Sequence, residues 1–234
     1  MLATDFDGTV APIVPNPSAA ALHPEARVLL ARAAKTPGVC VAFISGRDID
    51  DLRSRTIGID AVVAGSHGLE CATQDGGRLW TPRRDFPGMD RALLDALAAD
   101  GLRIERKRYS VAVHFREAAE RDHTAVLARF VRWAREESLE VIPGRMVIEA
   151  RVRGAGKRAA LRAIAAWTHA RRVVYAGDDT TDFDALGFAA TRGRAVFVES
   201  PERSAPDIQP LDRAASIEML CGLLAREVEQ SARA

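Results

Sequence analysis

Short apolar runs alternate with amphipathic stretches along most of the chain. The apolar runs are bounded by Gly, Asp or Ser, and the stretches between them have the periodicity of helices. This pattern predicts strands at residues 1–6, 39–44, 61–64 and 173–176. It predicts helices at residues 24–34, 49–55, 157–170 and 216–229. Strands and helices that take turns in this way favour an α/β core built around a parallel sheet.

The middle of the chain has a different pattern. Two predicted strand pairs alternate there with two predicted helices: the pairs at residues 104–115 and 140–153, and the helices at residues 90–98 and 121–137. Proline and glycine mark turns at its edges, at Trp80-Thr81-Pro82 and at Arg153-Gly154-Ala155-Gly156. We therefore expect an α+β domain at residues 81–153, inserted into a core made of residues 1–80 and 154–234.

Composition narrows the class of protein. The formal net charge of the 234 residues is +1, so there is no long-range basic field to drive binding to nucleic acid or to anionic membranes. Only 6% of the residues are aromatic, which leaves few side chains for stacking on bases. No apolar run approaches the ~20 residues that span a bilayer, and no signal-peptide pattern follows Met1. We expect a cytoplasmic protein that binds neither nucleic acid nor membrane.

Acidic residues follow two of the predicted strands. Asp5 and Asp7 come directly after the first strand, and at positions i and i+2 of an extended chain their carboxylates point the same way. A second cluster, Asp178, Asp179 and Asp182, follows another strand. Parallel strands end at one edge of a sheet, so the two clusters would meet there. Carboxylates packed this closely repel each other unless a divalent cation offsets their charge, which predicts a magnesium (Mg²⁺) site.

Two further features suit a phosphate. Ser45, Gly46 and Arg47 follow the strand at residues 39–44, where a hydroxyl and backbone amides near a helix start can donate to phosphate oxygens. Lys157 opens a predicted helix and can neutralise a phosphate as a point charge. A helix cap is an alternative role for Ser45, and the acidic segments taken singly suit turns or caps. Four such elements in this order at strand ends favour a catalytic site.

In order, these motifs resemble those of the haloacid dehalogenase phosphatase superfamily. The matching residues are Asp5-Phe6-Asp7-Gly8-Thr9, Ser45-Gly46-Arg47, Lys157 and Gly177-Asp178-Asp179-Thr180-Thr181-Asp182. The resemblance implies a Rossmann-like parallel-sheet hydrolase core with an inserted α+β cap domain. It also implies that Asp5 is the nucleophile that forms an aspartyl phosphate and that Asp7 is the acid/base.

The same resemblance assigns ligands. Ser45 and Lys157 would bind the phosphate. Mg²⁺ would be held by Asp5, the backbone carbonyl of Asp7 and Asp178, with support from Asp179 and Asp182. The resemblance therefore implies a phosphoric monoester hydrolase.

Other segments resemble trehalose-6-phosphate phosphatases. They are Asp7-Gly8-Thr9-Val10-Ala11-Pro12-Ile13, Gly65-Ser66-His67-Gly68-Leu69-Glu70, Ser110-Val111-Ala112-Val113-His114-Phe115-Arg116 and Gly144-Arg145-Met146-Val147-Ile148-Glu149. This resemblance implies a sugar-binding role for Lys107, His114, Arg116 and Glu149. Gly46, Arg47 and His67 are assigned to the substrate as well. Solvated strand positions are the alternative for the cap residues, and a structural role in a tight loop is the alternative for His67.

Several functions stay open at this point. The resemblance favours hydrolysis of trehalose 6-phosphate in trehalose biosynthesis, by a monomer whose candidate partner is a trehalose-phosphate synthase. Within the same superfamily, the substrate could instead be sucrose phosphate or mannosylglycerate phosphate, or the enzyme could be a phosphohexomutase. A regulatory binding subunit without catalysis would be expected to have lost its nucleophile, whereas Asp5 is present.

Overall fold

The chain forms two compact units. The computed structural model describes residues 1–82, 86–116, 122–144, 146–154, 156–200 and 203–232. One unit, here called the core unit, is made of Met1–Thr81 and Gly156–Ala234. The other, the inserted unit, is Pro82–Ala155. Arg145 and Ala155 of the sequence motifs, and residue 121 of a predicted helix, lie outside the described residues.

Helices and strands alternate along the described chain. Up to the end of the inserted unit they are β1 Leu2–Thr4, α1 Pro24–Ala34, β2 Val41–Ile44, α2 Ile49–Arg55, β3 Ala61–Gly65, β4 Glu70–Thr73, β5 Arg78–Trp80, α3 Arg91–Ala99, β6 Arg103–Arg106, β7 Ser110–His114, α4 Thr124–Glu136, β8 Glu140–Gly144 and β9 Val147–Arg151. After it come α5 Lys157–Trp167, β10 Val173–Gly177, α6 Phe183–Ala190, β11 Gly193–Val198, β12 Asp212–Ala214 and α7 Ile217–Ala232. Among the described residues, no helix has the length and apolar character needed to cross a membrane.

The core unit is built on a mostly parallel sheet. Within the described residues its strand order is β12-β11-β10-β1-β2-β3-β4-β5, parallel from β12 to β3 and antiparallel at β4 and β5. The strands predicted from the sequence are β1, β2, β3 and β10. Sequence reasoning missed β4, β5, β11 and β12. Of these, β5 and β12 are three residues long and carry charged side chains, so they offer too few apolar positions for a periodic signal.

Helices cover both faces of this sheet, as an α/β core requires. Alternate strand residues point to opposite faces, so Phe43 packs with α1 and α7, and Ile44 packs with α5 and α6. Both side chains are fully buried. The fold is therefore the predicted Rossmann-like α/β core, and its parallel strands have their carboxyl ends at one edge of the sheet.

The inserted unit is an α+β layer structure. Its described strands form an antiparallel sheet in the order β6-β7-β9-β8. Val111, Val113 and Ala150 lie on one face of that sheet and pack with Phe130 of α4 and Leu97 of α3. The opposite face of the sheet carries the polar residues described below.

Candidate active site

Three buried carboxylates meet at the carboxyl edge of the core sheet. Asp5 follows β1, and Asp178 and Asp182 follow β10. Their ligand oxygens lie within 4.8 Å of one another. The N–H of Asp5 donates to the carbonyl of Ala176 at 2.9 Å, so the pairing of β1 with β10 continues into the site. The parallel register thus brings together the acidic clusters that the sequence keeps far apart.

The loop after β1 is shaped to fit against Asp178. Gly8 has φ +79°, a left-handed conformation that favours glycine, and a Cβ there would run into the Asp178 carboxylate. The Thr9 hydroxyl donates to Oδ1 of Asp178 at 2.9 Å. The Asp-Gly-Thr sequence therefore serves as a close-fitting loop that orients a carboxylate.

Lys157 is a buried cation within this cluster. It is the first residue of α5, and its Nζ lies 3.0 Å from Oδ1 of Asp5 and 2.9 Å from Oδ1 of Asp182. The buried Tyr175 hydroxyl also donates to Asp182, at 2.5 Å. Burial alone would lower the pKa of Lys157, but Asp5 and Asp182 more than offset it and raise that pKa. Lys157 is therefore charged at neutral pH.

The carboxylates of Asp5, Asp178 and Asp182 still outnumber the cations that pair with them, Lys157 and Arg203. Burial raises the pKa of Asp5 well above its usual range, and the charges of Asp182 and Asp178 add to that shift while Lys157 opposes it. Burial, followed by the charge of Asp182, raises the pKa of Asp178 to about 6. Clustered hard oxygen donors with unbalanced negative charge are the ligand set that Mg²⁺ prefers. The donor set at this edge therefore fits a divalent cation.

Arg203 and Asp179 lie at the rim of the cluster. Arg203 Nη1 lies 2.6 Å from Oδ2 of Asp178, and its Nε lies 3.4 Å from Oδ1 of Asp179. The Asp179 carboxylate also accepts from the backbone N–H of Thr180 and caps the short 3₁₀ helix Thr180–Asp182. The sequence analysis missed Arg203 because it lies in no recognised motif. It reaches Asp178 only because the chain after β11 lies beside the end of β10.

Asp7 is held by an arginine. Arg47 Nε lies 2.7 Å from Oδ2 of Asp7, and Nη2 lies 2.6 Å from Oδ1. These hydrogen bonds raise the pKa of Arg47 above its already high value. Arg47 was predicted to contact substrate, and the structure shows that its partners include the residue predicted to be the acid/base.

Ser45 directly follows β2 and is buried. Its hydroxyl accepts from the backbone N–H of Arg47 at 3.2 Å, and its own N–H donates to the carbonyl of Ala64 at 3.0 Å. Gly46 lies against the ring of His67, where a Cβ would be 2.7 Å from Cε1 and Nε2. The structure therefore places His67 beside the loop of residues 45–48 between β2 and α2, here called the Ser45 loop.

Four polar side chains cluster on the face of the inserted unit's sheet that is opposite α3 and α4. Glu105 lies opposite Ala112, which in turn lies opposite Glu149, so these positions share a face. Lys107 Nζ lies 3.9 Å from Glu149 Oε1 and 4.0 Å from Glu105 Oε1. His114 Nε2 lies 2.9 Å from Oε2 of Glu105. The sequence analysis named Lys107, His114 and Glu149 but not Glu105. Glu105 lies in no recognised motif, although it is two residues from Lys107 and so points to the same face of an extended chain.

Arg116 lies two residues beyond the end of β7. It is exposed, and it follows His114 at the same strand parity. The structure thus places it at the edge of the face that carries the other predicted sugar ligands.

A known protein family matches most of the chain. Residues 3–205 match the model of a family described as trehalose-phosphatase. The chain belongs to the trehalose-phosphatase family. A trehalose-phosphate phosphatase of Mycobacterium tuberculosis H37Rv is 33% identical over 248 residues, which cover 97% of this chain and 61% of that protein. The Mycobacterium marinum trehalose-phosphate phosphatase is 34% identical over 242 residues, covering 96% and 61%. The chain thus spans about three fifths of the length of these two relatives.

Solved structures with the same fold include phosphatases. A trehalose-6-phosphate phosphatase related protein superposes on this family member with a TM-score of 0.68 at 24% identity, covering 100% of this chain and 99% of the other. The C-terminal domain of the Candida albicans trehalose-6-phosphate phosphatase has a TM-score of 0.69 at 18% identity, covering 99% and 91%. A haloacid dehalogenase-like hydrolase from Bacteroides thetaiotaomicron has a TM-score of 0.68 at 14% identity, covering 97% and 98%. These likenesses establish the haloacid dehalogenase-like fold.

Proposed function

We propose that this chain is a Mg²⁺-dependent phosphatase that hydrolyses trehalose 6-phosphate to trehalose and inorganic phosphate. The observation that carries the proposal is the buried pairing of Asp5 with Lys157 inside an acidic cluster, in a member of the trehalose-phosphatase family. A carboxylate at the carboxyl edge of a parallel sheet, beside a buried cation, is suited to attack phosphorus.

The proposed reaction has two steps. In the first, an Asp5 oxygen bonds to phosphorus while the bond from phosphorus to the sugar oxygen breaks, and Asp7 gives that oxygen a proton. In the second, Asp7 takes a proton from water as the water oxygen bonds to phosphorus. The bond from phosphorus to Asp5 then breaks and releases inorganic phosphate. The overall change is hydrolysis of one ester, and Asp5 and Asp7 return to their starting states.

Charged and donor groups around Asp5 would stabilise the phosphoryl group. Lys157 carries its positive charge next to the attacking oxygen, and the Ser45 hydroxyl and the Gly46 amide would donate to phosphoryl oxygens. When bound, Mg²⁺ would offset the negative charge of the phosphoryl group and the carboxylates. The residues that would hold it are Asp5, the backbone carbonyl of Asp7, and Asp178, supported by Asp179 and Asp182.

Sugar recognition is proposed for the inserted unit. A disaccharide presents many hydroxyls, which require charged partners that donate and accept at once. Lys107, His114 and Glu149 offer both kinds of group on one sheet face, and Arg116 adds further donors. We propose that these four residues bind the sugar and that Arg47 and His67 act at the phosphate side.

A substrate panel tests the proposal. Purified protein with Mg²⁺ is given trehalose 6-phosphate, sucrose 6-phosphate, mannosylglycerate phosphate and glucose 6-phosphate, and inorganic phosphate release is measured. The expected result is the highest kcat/KM for trehalose 6-phosphate, with no release by Asp5→Asn. Preference for another sugar phosphate would replace the proposed substrate. Interconversion of sugar phosphates without phosphate release would make the enzyme a mutase.

The setting of the reaction is also a proposal. We propose that the protein acts as a cytoplasmic monomer on substrate made by a trehalose-phosphate synthase. A solution mass near 25.3 kDa by light scattering is the result expected for a monomer. A mass twice as large would exclude it.

A further inference from the structure

The turn after β3 has an unusual backbone. Ser66, His67 and Gly68 have successive φ values of 51°, 56° and 91°. Glycine adopts positive φ without steric cost, but serine and histidine do so only with strain between Cβ and the backbone. Two strained residues in succession persist only where the surroundings determine them, and such strain concentrates at functional sites. The contacts of this turn therefore identify what it serves.

On one side the turn binds the loop of Ser45. The N–H of His67 donates to the carbonyl of Ser45 at 2.8 Å, and the N–H of Ser66 donates to the carbonyl of Arg47 at 2.7 Å. The ring of His67 packs directly on Gly46, which leaves no room for a side chain there. These contacts fix the main chain on both sides of Gly46.

On its other side the turn binds the start of α5. The carbonyl of His67 accepts from the N–H of Gly156 at 2.9 Å, and Gly156 is the residue before Lys157. A Cβ on Gly68 would lie 2.6 Å from the Cβ of Ala160 and 3.2 Å from the carbonyl oxygen of Gly156. The turn thus packs against the first turn of α5 without an intervening side chain.

A buried carboxylate supports the same turn. Oε1 of Glu70 accepts from the Ser66 hydroxyl at 3.1 Å and from the backbone N–H of Ile49 at 3.3 Å. Glu70 is almost fully buried, and Ile49 begins α2 directly after the Ser45 loop. Glu70 therefore ties the turn to that loop a second time.

We propose that the turn Ser66–Gly68 is a positioning element that fixes the spacing between Ser45 and Lys157. It joins the main chain at Ser45 to the main chain at Gly156, the residue before Lys157. Its left-handed backbone presents the His67 N–H to the Ser45 carbonyl and the His67 carbonyl to the Gly156 N–H. The inference rests on the proposed function, because Ser45 and Lys157 matter as the pair that holds the phosphate. In this proposal His67 affects phosphate binding indirectly, by positioning Ser45 and Lys157.

A glycine replacement tests the spacing. Gly68→Ala forces a methyl group against Ala160 and should push α5 away from the turn. Gly58→Ala is the matched control, since Gly58 has a similar φ of +88° and a Cβ there meets nothing within 4 Å. We expect Gly68→Ala to lower kcat/KM for p-nitrophenyl phosphate by about 10²-fold, the loss that a misplacement of about 1 Å can cause. Gly58→Ala should leave it unchanged. Equal rates in the two variants would overturn the proposal.

A compensating change guards against simple misfolding. Ala160→Gly removes the methyl group that Gly68→Ala would strike, so the double variant should recover most of the activity and the affinity for inorganic phosphate. Recovery of thermal stability without recovery of phosphate affinity would mean that the turn is merely structural, and would refute the positioning role.

Amide hydrogen exchange separates this inference from the proposed function. His67→Asn keeps a residue that tolerates positive φ and removes the ring from Gly46. Exchange should then increase in both residues 45–49 and residues 156–160. Faster exchange confined to residues 66–68 would contradict the proposal. This readout holds even if the wild-type protein hydrolyses no phosphate ester, a result that would refute the phosphatase function alone.

Discussion

Arg47 binds both carboxylate oxygens of Asp7, with separations of 2.7 Å from Nε to Oδ2 and 2.6 Å from Nη2 to Oδ1. A two-point pair of this kind sets the orientation of a carboxylate as well as its charge. Arg47 is itself held by Asp51, at 2.8 Å, and its guanidinium lies over the ring of Phe6. The proposed acid/base is therefore oriented by α2 through one guanidinium.

Replacing Arg47 tests whether this orientation matters. Arg47→Ala should lower kcat by up to the ~10²- to 10⁴-fold that general acid–base catalysis contributes. Arg47→Lys should recover little, because an ammonium cannot bind both oxygens in the same fork. Arg53→Ala, on α2 and paired with Asp50, is the control. Equal kcat values for Arg47→Ala and Arg53→Ala would show that Asp7 needs no such partner.

Asp5→Asn should abolish turnover and leave the fold intact, because an amide cannot attack phosphorus and the change is nearly isosteric. Asp7→Asn should retain a small rate, about 10²- to 10⁴-fold below that of the wild type. Phosphate release and circular dichroism on the same preparations check both. Wild-type rates in Asp5→Asn would end the aspartyl-phosphate mechanism.

Removal of metal should stop the reaction. EDTA is expected to abolish phosphate release and Mg²⁺ to restore it, because the clustered carboxylates otherwise repel the substrate. Mg²⁺ should also raise the Tm, since a ligand at 100 times its Kd stabilises a fold by about 2.7 kcal/mol. Asp178→Asn should lose the rise in Tm, whereas Asp184→Asn, an exposed change on α6, should keep it. Full activity in EDTA would exclude a required metal.

The pair of Glu105 and His114 should make stability depend on pH. Partial burial alone would raise the pKa of Glu105. The hydrogen bond from His114 and the charge of Lys107 outweigh it and lower that pKa below its ordinary value of 4.5. A carboxyl whose pKa is lower in the folded state stabilises the fold above its unfolded pKa, and this stability is lost as pH falls through the folded pKa. Glu105→Gln should therefore be less stable than the wild type at pH 7, by at most about 1 kcal/mol for so exposed a pair.

Urea unfolding between pH 7 and pH 3 measures this difference. The gap between the wild type and Glu105→Gln should shrink as the pH falls below 4.5, where the carboxyl becomes protonated. Glu136→Gln, an exposed change on α4, should show no such narrowing. A gap that is constant with pH would mean that the ion pair does not contribute.

Glu149→Ala should separate sugar recognition from phosphoryl transfer. Binding energy from a remote part of the substrate assists the reaction only when the substrate has that part. The variant should therefore lose much more kcat/KM with trehalose 6-phosphate than with p-nitrophenyl phosphate, and Lys107→Ala should behave alike. Glu136→Ala, on the helix side of the inserted unit, is the control. Equal losses of kcat/KM on the two substrates would contradict the proposal that this face binds the sugar.

Some of the site could be predicted because its signals are local. Apolar runs at residues 39–44 and 173–176 predicted β2 and β10, and polar residues just beyond each run predicted which side chains lie at the sheet edge. The acidic segment around Asp5 is of a kind that suits turns, and Gly8 has the positive φ that a tight turn needs. Strand pattern and turn chemistry are properties of neighbouring residues, so the sequence carries them directly.

Other features depend on partners that are remote in sequence. Thr9 and Asp178, which share a hydrogen bond, are 169 residues apart, and Arg203 reaches Asp178 only because the chain after β11 lies beside the end of β10. By itself the sequence determined the α/β core, the sheet edge and the acidic residues placed there. Only the tertiary structure decided that Arg47 holds Asp7 and that His67 joins Ser45 to α5, because these contacts depend on strand register and on helix packing, which no local periodicity encodes.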